Sequence, residues 1–255
     1  CSFWRRIYAR PIQADTRLRL ESPHQSVKRD LRKAYRLMHK HFGHRNWWPG
    51  DTAFEICVGA ILTQNTSWKN VEYAIANLKA AKALSAERIY TLDHKELAQL
   101  IRPAGYFNIK AKRLGNFVNV LVENYGASLR QMMKGDTQMV RNRLLSINGI
   151  GPETADCILL YAGNHHSFVI DAYTKRIFSR HGWCSETSGY DELQVLCKTS
   201  LNQKPGPQQL DYWQDYHAQI VSAGNTYCKP RDPLCHECPL EILLPNQTCT
   251  NGKQS

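Results

Sequence analysis

The chain has 255 residues, 42% of them hydrophobic, and carries a formal net charge of +11. This length suits one large domain or two small ones with a buried core. No apolar run approaches the about 18 residues that a membrane-spanning helix needs, and the first residues lack the apolar stretch of a secretory signal, so we expect no membrane association. The charge favours a polyanionic partner such as DNA or RNA, with ordinary basic solubility as the alternative.

Almost every periodic segment has apolar residues at helical spacing. Strand-like alternation is sparse, so the sequence predicts an all-α fold of about nine or ten helices joined by short loops. Residues 1–26 contain five arginines and little periodicity, which predicts an extended arm, and residues 250–255 predict a disordered tail. The predicted helices span residues 27–42, 54–62, 71–84, 110–125, 137–145, 154–162, 172–181, 190–201 and 210–223.

A glycine-containing hairpin separates two of these helices, at Leu-Ser-Ile-Asn-Gly-Ile-Gly-Pro-Glu-Thr-Ala-Asp in residues 145–156. Gly149 and Gly151 can take positive φ, which permits a tight reversal of the chain. Pro152 fits the first turn of the next helix, where its missing N–H costs nothing. The free N–H groups at such a turn can bind a phosphate without reading a base. A plain corner between two core helices is the alternative.

A single carboxylate, Asp171, follows an apolar run and stands at the start of a predicted helix. An N-cap needs an aspartate or serine at this position, so a structural role alone would explain it. The two roles are compatible, because a carboxylate at a helix start is held in place and kept ionised.

Four of the nine cysteines crowd together near the C-terminus. Cys228, Cys235 and Cys238 form Cys-x6-Cys-x2-Cys, and Cys249 follows after ten residues. The other five are scattered along the chain. This distribution favours one bound metal centre over a set of disulfides, and with it a reducing intracellular compartment, the cytoplasm or nucleoid.

The hairpin at residues 148–154, Asp171 and the cysteine group together resemble the helix-hairpin-helix DNA glycosylases of the endonuclease III superfamily. The segment Gly-Ala-Ile-Leu-Thr-Gln-Asn-Thr-Ser-Trp at residues 59–68 is similar to the one that this family inserts into DNA. The resemblance covers residues 30–249 and implies two helical subdomains flanking a DNA-binding cleft. Residues 51–163, with the helix-hairpin-helix at 137–163, would form the central subdomain. Residues 27–50 and 164–249 would form the other, including a cluster loop at 228–249.

The resemblance also implies a reaction, the hydrolysis of the N-glycosidic bond of a nucleotide flipped out of the duplex. Asp171 would stabilise the cationic C1′ and align or deprotonate the attacking water. Bifunctional members carry a lysine two residues after the second hairpin glycine, and its amine forms a Schiff base with the sugar. Glu153 stands at that position here, and a carboxylate cannot form an imine. The expected enzyme is therefore monofunctional and leaves an abasic site.

The cysteines would hold the [4Fe–4S] cluster of this family, whose pattern is Cys-x6-Cys-x2-Cys-x5-Cys. The last gap is longer here, so Cys249 is the ligand in doubt. Zinc is the alternative metal, since four thiolates also suit tetrahedral coordination. The cluster would brace a basic loop against the DNA backbone.

The expected partner is double-stranded DNA containing a damaged base, bound by a monomer. Gln64 would fill the gap left by the flipped nucleotide and face the orphaned base. The expected contacts of the hairpin and of the cluster loop with DNA are made by Asn148, Gly149, Gly151, Thr154, Lys229 and Arg231.

The substrate pocket resembles that of the 3-methyladenine branch, through Trp-Trp-Pro at 47–49 and Thr-Ser-Trp-Lys at 66–69. Alkylated purines are electron-poor, often cationic, and stack well on aromatic faces. The expected pocket residues are Trp48, Trp68, Lys69 and Glu153. The alternatives are a glycosylase for oxidised pyrimidines or for mismatched uracil or thymine, and a DNA-binding protein that senses lesions without catalysis.

Overall fold

The computed structural model describes residues 23–47 and 50–245, and within these ranges the chain is helical without a β-strand. The all-α prediction is therefore confirmed. The helices are α1 Pro23–Phe42, α2 Ala53–Leu62, α3 Trp68–Ala80, α4 Ala86–Thr91, α5 His94–Leu100, α6 Phe107–Tyr125, α7 Leu129–Met132, α8 Thr137–Leu145, α9 Pro152–Cys157, α10 Ala172–Arg180, α11 Tyr190–Leu201 and α12 Gly206–Thr226. No helix in this part of the chain is long and apolar enough to cross a membrane.

The first helix begins earlier than the sequence predicts. Residues 23–26 belong to α1, so the arm predicted to reach residue 26 is wrong over these four residues. The rest of the predicted arm, the predicted tail, Trp48 and Cys249 lie outside the described residues.

Three short helices have no predicted counterpart, and each is fixed by its N-cap. The side chains of Ser85, Asp93 and Ser128 accept hydrogen bonds from the third backbone N–H of α4, α5 and α7. Asp93 also forms a reciprocal capping box with Glu96. Helices of four to seven residues are too short to show apolar periodicity, so capping residues are the only local signal for them.

Two hydrophobic cores organise the described chain. The first is built from α2 to α9, between Cys57 and Leu159. The second combines α1 with α10, α11 and α12, so the chain enters it at both ends. The cores divide within a single π-helical turn, Ile158–Ala162, which follows α9: Leu159 belongs to the first core and Leu160 to the second. The residues that follow this turn therefore lie where the two cores meet.

Candidate active site and DNA-binding surface

Asp171 lies at the end of a buried segment that crosses from the π turn to α10. The preceding Phe168, Val169 and Ile170 are all buried, and Asp171 is the N-cap of α10. Its Oδ1 accepts hydrogen bonds from the backbone N of Thr174 at 2.6 Å and from Thr174 Oγ1 at 2.8 Å. The capping bonds use Oδ1, so the orientation of the carboxylate is fixed with Oδ2 turned elsewhere.

The second oxygen of Asp171 faces a histidine on the last long helix. Oδ2 lies 3.4 Å from Nε2 of His217 on α12. Burial on its own raises the pKa of Asp171, but the His217 ring and the Thr174 donors outweigh it and hold the pKa below its ordinary value. Asp171 is therefore a buried, ionised and rigidly oriented carboxylate at neutral pH.

Aromatic rings surround this carboxylate–histidine pair. The Tyr161 hydroxyl lies 2.7 Å from His217 Nδ1 and donates to the Gln214 carbonyl at 3.1 Å. The Trp47 ring lies 5.8 Å from both the Tyr161 ring and the His217 ring. The π turn places Tyr161 in this position, and such turns are rare and occur often at functional sites.

Glu153 lies in the first turn of α9, near enough to Asp171 and His217 for their charges to act on it. The side chain of Glu153 is exposed by surface area, but protein atoms displace part of the water around it. This desolvation and, second, the charge of Asp171 raise the pKa of Glu153, and the charges of His217 and Lys175 partly offset the rise. One turn later, burial raises the pKa of Cys157 to about 12, with further contributions from Glu153 and Asp171. The structure thus brings Glu153 and Asp171 into one electrostatic environment.

The hairpin between α8 and α9 has one glycine with an unusual backbone. Gly149 has φ +100°, and a Cβ there would come within 2.3 Å of Arg113 Cγ. Gly151 has an extended backbone with φ −93° and has open space where its Cβ would be. The positive φ that the sequence allows at both glycines is therefore used only by Gly149. Asn148 is exposed, and its carbonyl accepts a hydrogen bond from Asn116 Nδ2 at 2.9 Å.

Gln64 lies in the turn after α2 and is hydrogen-bonded to this hairpin. Its Nε2 donates to Thr154 Oγ1 at 2.9 Å and to the Gly149 carbonyl at 3.2 Å, and its Oε1 accepts from Arg113. Thr154 itself is buried. The expected gap-filling residue and the hairpin therefore form one connected unit in the free protein.

Two residues that the sequence did not single out adjoin this unit. The ammonium group of Lys110 is buried and donates to the carbonyls of Leu62 at 2.8 Å and Ala104 at 2.7 Å. Lys110 thereby ties the end of α2 to the turn before α6. That turn presents Tyr106, which is 69% exposed and adopts a left-handed backbone with φ 45°. An exposed aromatic ring on a strained turn is a feature of functional surfaces.

The predicted tryptophan pocket is described only in part, because Trp48 lies outside the described residues. Trp68 begins α3 and packs over Gly59 of α2, where an added Cβ would come within 3.1 Å of its ring. It is half-buried against the first core, and the neighbouring Lys69 is exposed. The assignment of Trp68 and Lys69 to the substrate pocket stays a prediction.

Three of the four clustered cysteines line one small cavity at the end of α12. Cys228, Cys235 and Cys238 share it with Arg180 and His181. Across the described residues, no group of three side chains stands at metal-binding geometry, and Cys249 falls outside them.

Two arginines on one face of α10 hold the loop that follows Cys228. Arg176 Nε donates to the Cys228 carbonyl at 2.6 Å. Arg180 donates to the Lys229 carbonyl at 2.7 Å and the Pro230 carbonyl at 3.1 Å, and it contacts Cys228 Sγ at 3.3 Å. The side chains of Lys229 and Arg231 are exposed. The spacing of four residues between the arginines is the sequence signal that could have identified them.

The match to known proteins agrees with this architecture. Residues 58–203 match the HhH-GPD superfamily base excision DNA repair protein family. A protein of Methanocaldococcus jannaschii, named as a candidate DNA repair glycosylase, is 49% identical over 82% of this chain and 93% of its own length. The chain belongs to the HhH-GPD superfamily of base excision DNA repair proteins, a superfamily of DNA glycosylases.

The chain is also similar to a more distant sequence relative and to proteins of known structure. The endonuclease III of Thermotoga maritima is 27% identical over 74% of this chain and 80% of its own length. The H. pylori 3-methyladenine DNA glycosylase bound to 1,N6-ethenoadenine has a TM-score of 0.67 and 28% identity, covering 78% of this chain and 97% of that one. An endonuclease III–DNA complex has a TM-score of 0.73 at 21% identity, covering 86% and 96%, and shows the shared fold.

Proposed function

We propose that this protein is a monofunctional DNA glycosylase that flips an alkylated, 3-methyladenine-type base out of double-stranded DNA and hydrolyses its glycosidic bond, leaving an abasic site. The observation that carries the proposal is the presence of two carboxylates, Asp171 and Glu153, in one electrostatic environment. One is a buried, ionised carboxylate, and the other is a carboxylate at the hairpin position where an amine would be needed for strand cleavage.

Asp171 acts on the sugar. As the base departs, C1′ becomes cationic, and a fixed negative charge stabilises that state more than the ground state. The two Thr174 donors hold Oδ1 in place, so the carboxylate needs no reorganisation during the reaction. If Asp171 were only the structural N-cap of α10, no histidine would need to face its Oδ2.

Glu153 and the aromatic rings favour a cationic or electron-poor base. The half-buried Trp47 ring lies beside His217, and Glu153 adds negative potential close to Asp171. Alkylated purines have weakened glycosidic bonds, so a sparse catalytic apparatus is enough. The likeness to the H. pylori 3-methyladenine DNA glycosylase supports this choice of substrate.

A second candidate is supported by the Thermotoga maritima endonuclease III, which is 27% identical. In that case the substrate would be an oxidised pyrimidine or a mismatched uracil or thymine. A lesion sensor without catalysis is the third candidate, and the rigid placement of Asp171 speaks against it, because binding DNA backbone does not call for a buried carboxylate.

Cys228 and Cys238 have free thiols, whereas Cys235 is disulfide-bonded in this structure and would have to be reduced to serve as a third thiolate ligand. Cys228, Cys235 and Cys238 line one cavity, and Arg180 contacts Cys228 Sγ at 3.3 Å. With Cys249 they would hold a [4Fe–4S] cluster, with zinc as the alternative. When bound, the cluster would supply a structural brace and no step of the base excision. Arg176 and Arg180 would hold the backbone of the same loop, so that Lys229 and Arg231 face the DNA phosphates.

The DNA would lie against the hairpin, the Gln64 turn and the cluster loop, and the protein would act as a monomer in a reducing intracellular compartment. The net charge of +11 supports DNA as the partner. Tyr106 adds an exposed ring next to the Gln64 turn, where it could stack in an opened duplex.

A panel of oligonucleotides tests the function. Each carries one of 3-methyladenine, uracil, thymine glycol or a G·A mismatch, and base release is measured for the wild type and Asp171→Asn. We expect release of the alkylated base, loss of release in D171N, and no protein–DNA adduct trapped by borohydride. Release of thymine glycol with an adduct would favour the second candidate, and release of nothing would favour the sensor.

A further inference from the structure

His217 is a buried histidine that the hairpin and Asp171 do not explain. It is 4% exposed and comes from α12, more than forty residues beyond Asp171. Its Nε2 lies 3.4 Å from Asp171 Oδ2 without hydrogen-bond geometry, and among the described residues this nitrogen has no hydrogen-bond partner. A buried nitrogen left without a partner is costly unless something else binds it.

The other ring nitrogen of His217, Nδ1, is hydrogen-bonded to the Tyr161 hydroxyl. Tyr161 has a single hydroxyl proton and donates it to the Gln214 carbonyl, which can only accept. In that arrangement His217 Nδ1, 2.7 Å from the same hydroxyl, carries the proton and donates to the oxygen. When the ring is neutral, Nε2 has a bare lone pair that points toward Asp171 Oδ2, and the lowering of the Asp171 pKa by His217 belongs to the protonated ring, which carries the charge.

We propose that His217 is a catalytic residue that accepts the proton of the attacking water, which it holds jointly with Asp171. A water placed about 2.8 Å from both His217 Nε2 and Asp171 Oδ2 fits a separation of 3.4 Å between the two atoms. This inference rests on the proposed hydrolytic function and names the group that receives the proton.

The step balances as follows. The water oxygen forms a bond to C1′ while the bond from C1′ to the base nitrogen breaks, and the electron pair of that bond leaves with the base. A cationic alkylated purine departs neutral. The proton of the water goes to His217 Nε2, and the imidazolium later releases it to solvent.

The surroundings stabilise the protonated ring that this step creates. Nε2–H then faces the Asp171 carboxylate, and Nδ1–H keeps its bond to Tyr161, which still donates to Gln214. The charged groups that face His217 are Asp171 and, from α9, Glu153. The imidazolium therefore has an ion-pair partner, Asp171, at Nε2 and a hydrogen-bond partner, Tyr161, at Nδ1, whereas the neutral ring has only the second.

Two substitutions separate proton transfer from a structural role. His217→Gln keeps a polar group near Asp171 but cannot accept a proton, and His217→Asn keeps the contact with Tyr161 but does not reach Asp171. Base release is measured under single-turnover conditions from pH 5 to 9. We expect a wild-type rate that falls at acid pH, and in both variants a rate at least about tenfold lower without that dependence.

His94→Gln serves as the matched control, because it makes the same substitution at an exposed histidine of α5 outside the site, and it should keep the wild-type rate and its fall at acid pH. Thermal unfolding shows whether each variant is folded. If His217→Gln does not fold, Tyr161→Phe gives the second measurement: it removes the hydroxyl that fixes the tautomer and should lower the rate and displace the acid limb.

The outcomes separate the two proposals. Release of a base by the wild type supports the hydrolytic function independently of His217. A folded His217→Gln or His217→Asn variant with the wild-type rate and pH profile would overturn the role of His217 alone. Wild-type protein that releases no base from any oligonucleotide would overturn both.

Discussion

Gln64 Nε2 lies 2.9 Å from Thr154 Oγ1, so the turn after α2 is hydrogen-bonded to the helix that follows the hairpin. The same amide reaches the Gly149 carbonyl and accepts from Arg113. If Gln64 enters the gap left by a flipped nucleotide, these bonds must be exchanged for bonds to the orphaned base. The free protein therefore holds Gln64 in a resting position next to the surface that would bind DNA.

The first prediction concerns this exchange. Gln64→Ala should weaken binding to DNA that contains an abasic site by about fivefold, since roughly one net hydrogen bond of about 1 kcal/mol is lost. Binding to undamaged duplex should change little, because no gap is present. Fluorescence anisotropy with the two duplexes measures the difference.

Thr154→Val is the matched control for Gln64. It preserves the shape of a buried side chain and removes the Thr154 hydroxyl, one of the three partners that hold Gln64 at rest. Its affinity for abasic DNA should be equal to or higher than that of the wild type. Equal affinities of Q64A and wild type for abasic DNA would contradict the gap-filling role.

The second prediction concerns Asp171. Asp171→Asn should lower the rate of base release by about 10²-fold or more, because it removes the charge that stabilises the cationic sugar, and should leave DNA binding largely intact. Single-turnover base release and anisotropy on the same duplex measure the two effects. A D171N variant with the wild-type rate is incompatible with the mechanism.

The same substitution has a consequence for stability. The folded protein holds the pKa of Asp171 below its unfolded value, so ionised Asp171 contributes stability above about pH 4 that is lost as the pH falls through the folded pKa. The difference in free energy of unfolding between wild type and D171N should therefore shrink on acidification. A difference that grows at acid pH would mean that the pKa is raised instead.

The parts of the fold that the sequence could predict are those with local signals. The bounds of α8 and α11 follow from apolar periodicity, and Asp171 is recognisable from its place at a helix start. His217 is different: it lies on α12 among buried aromatic residues, and nothing in its neighbourhood indicates that it faces a residue far earlier in the chain. Only the packing of α12 against α10 brings the two together.

The hairpin shows the same limit at the level of one residue. Two glycines in the sequence allow positive φ, but only Gly149 adopts it, and the close approach of Arg113 also leaves no room for a Cβ there. Arg113 comes from α6, so its contact depends on tertiary packing. A local pattern could identify the turn but could not tell which glycine the fold needs.

The third prediction concerns the chemistry at the hairpin. Glu153→Lys places an amine at the position where bifunctional enzymes carry one, beside Asp171. We expect borohydride to trap a covalent adduct of E153K with DNA containing an abasic site, and no adduct of the wild type. Glu153→Gln is the control, since it removes the charge without adding an amine. An adduct of the wild type would show that another lysine performs strand cleavage.

The fourth prediction concerns the pH dependence of substrate binding. Desolvation by the surrounding protein atoms and the charge of Asp171 raise the pKa of Glu153 although its surface is exposed, so it loses its negative charge at a higher pH than an unperturbed glutamate. The KM for a cationic alkylated base should therefore rise on acidification in the wild type. In E153Q the KM should be higher at neutral pH and independent of this titration. An unchanged KM in E153Q at neutral pH would remove Glu153 from the pocket.

The fifth prediction concerns the cysteine loop. Cys228 lies at the junction of α12 and the loop, and Arg176 and Arg180 both bond to its backbone or its sulfur. Cys228→Ser should lose bound iron and the absorption near about 400 nm expected of an iron–sulfur centre, and should weaken DNA binding because the loop with Lys229 is released. Cys184→Ser, a half-buried cysteine outside the cavity, should retain both. If the wild-type protein contains zinc and shows no visible band, the metal is zinc and not an iron–sulfur cluster. If C228S binds DNA as well as the wild type, the loop does not contact the phosphates.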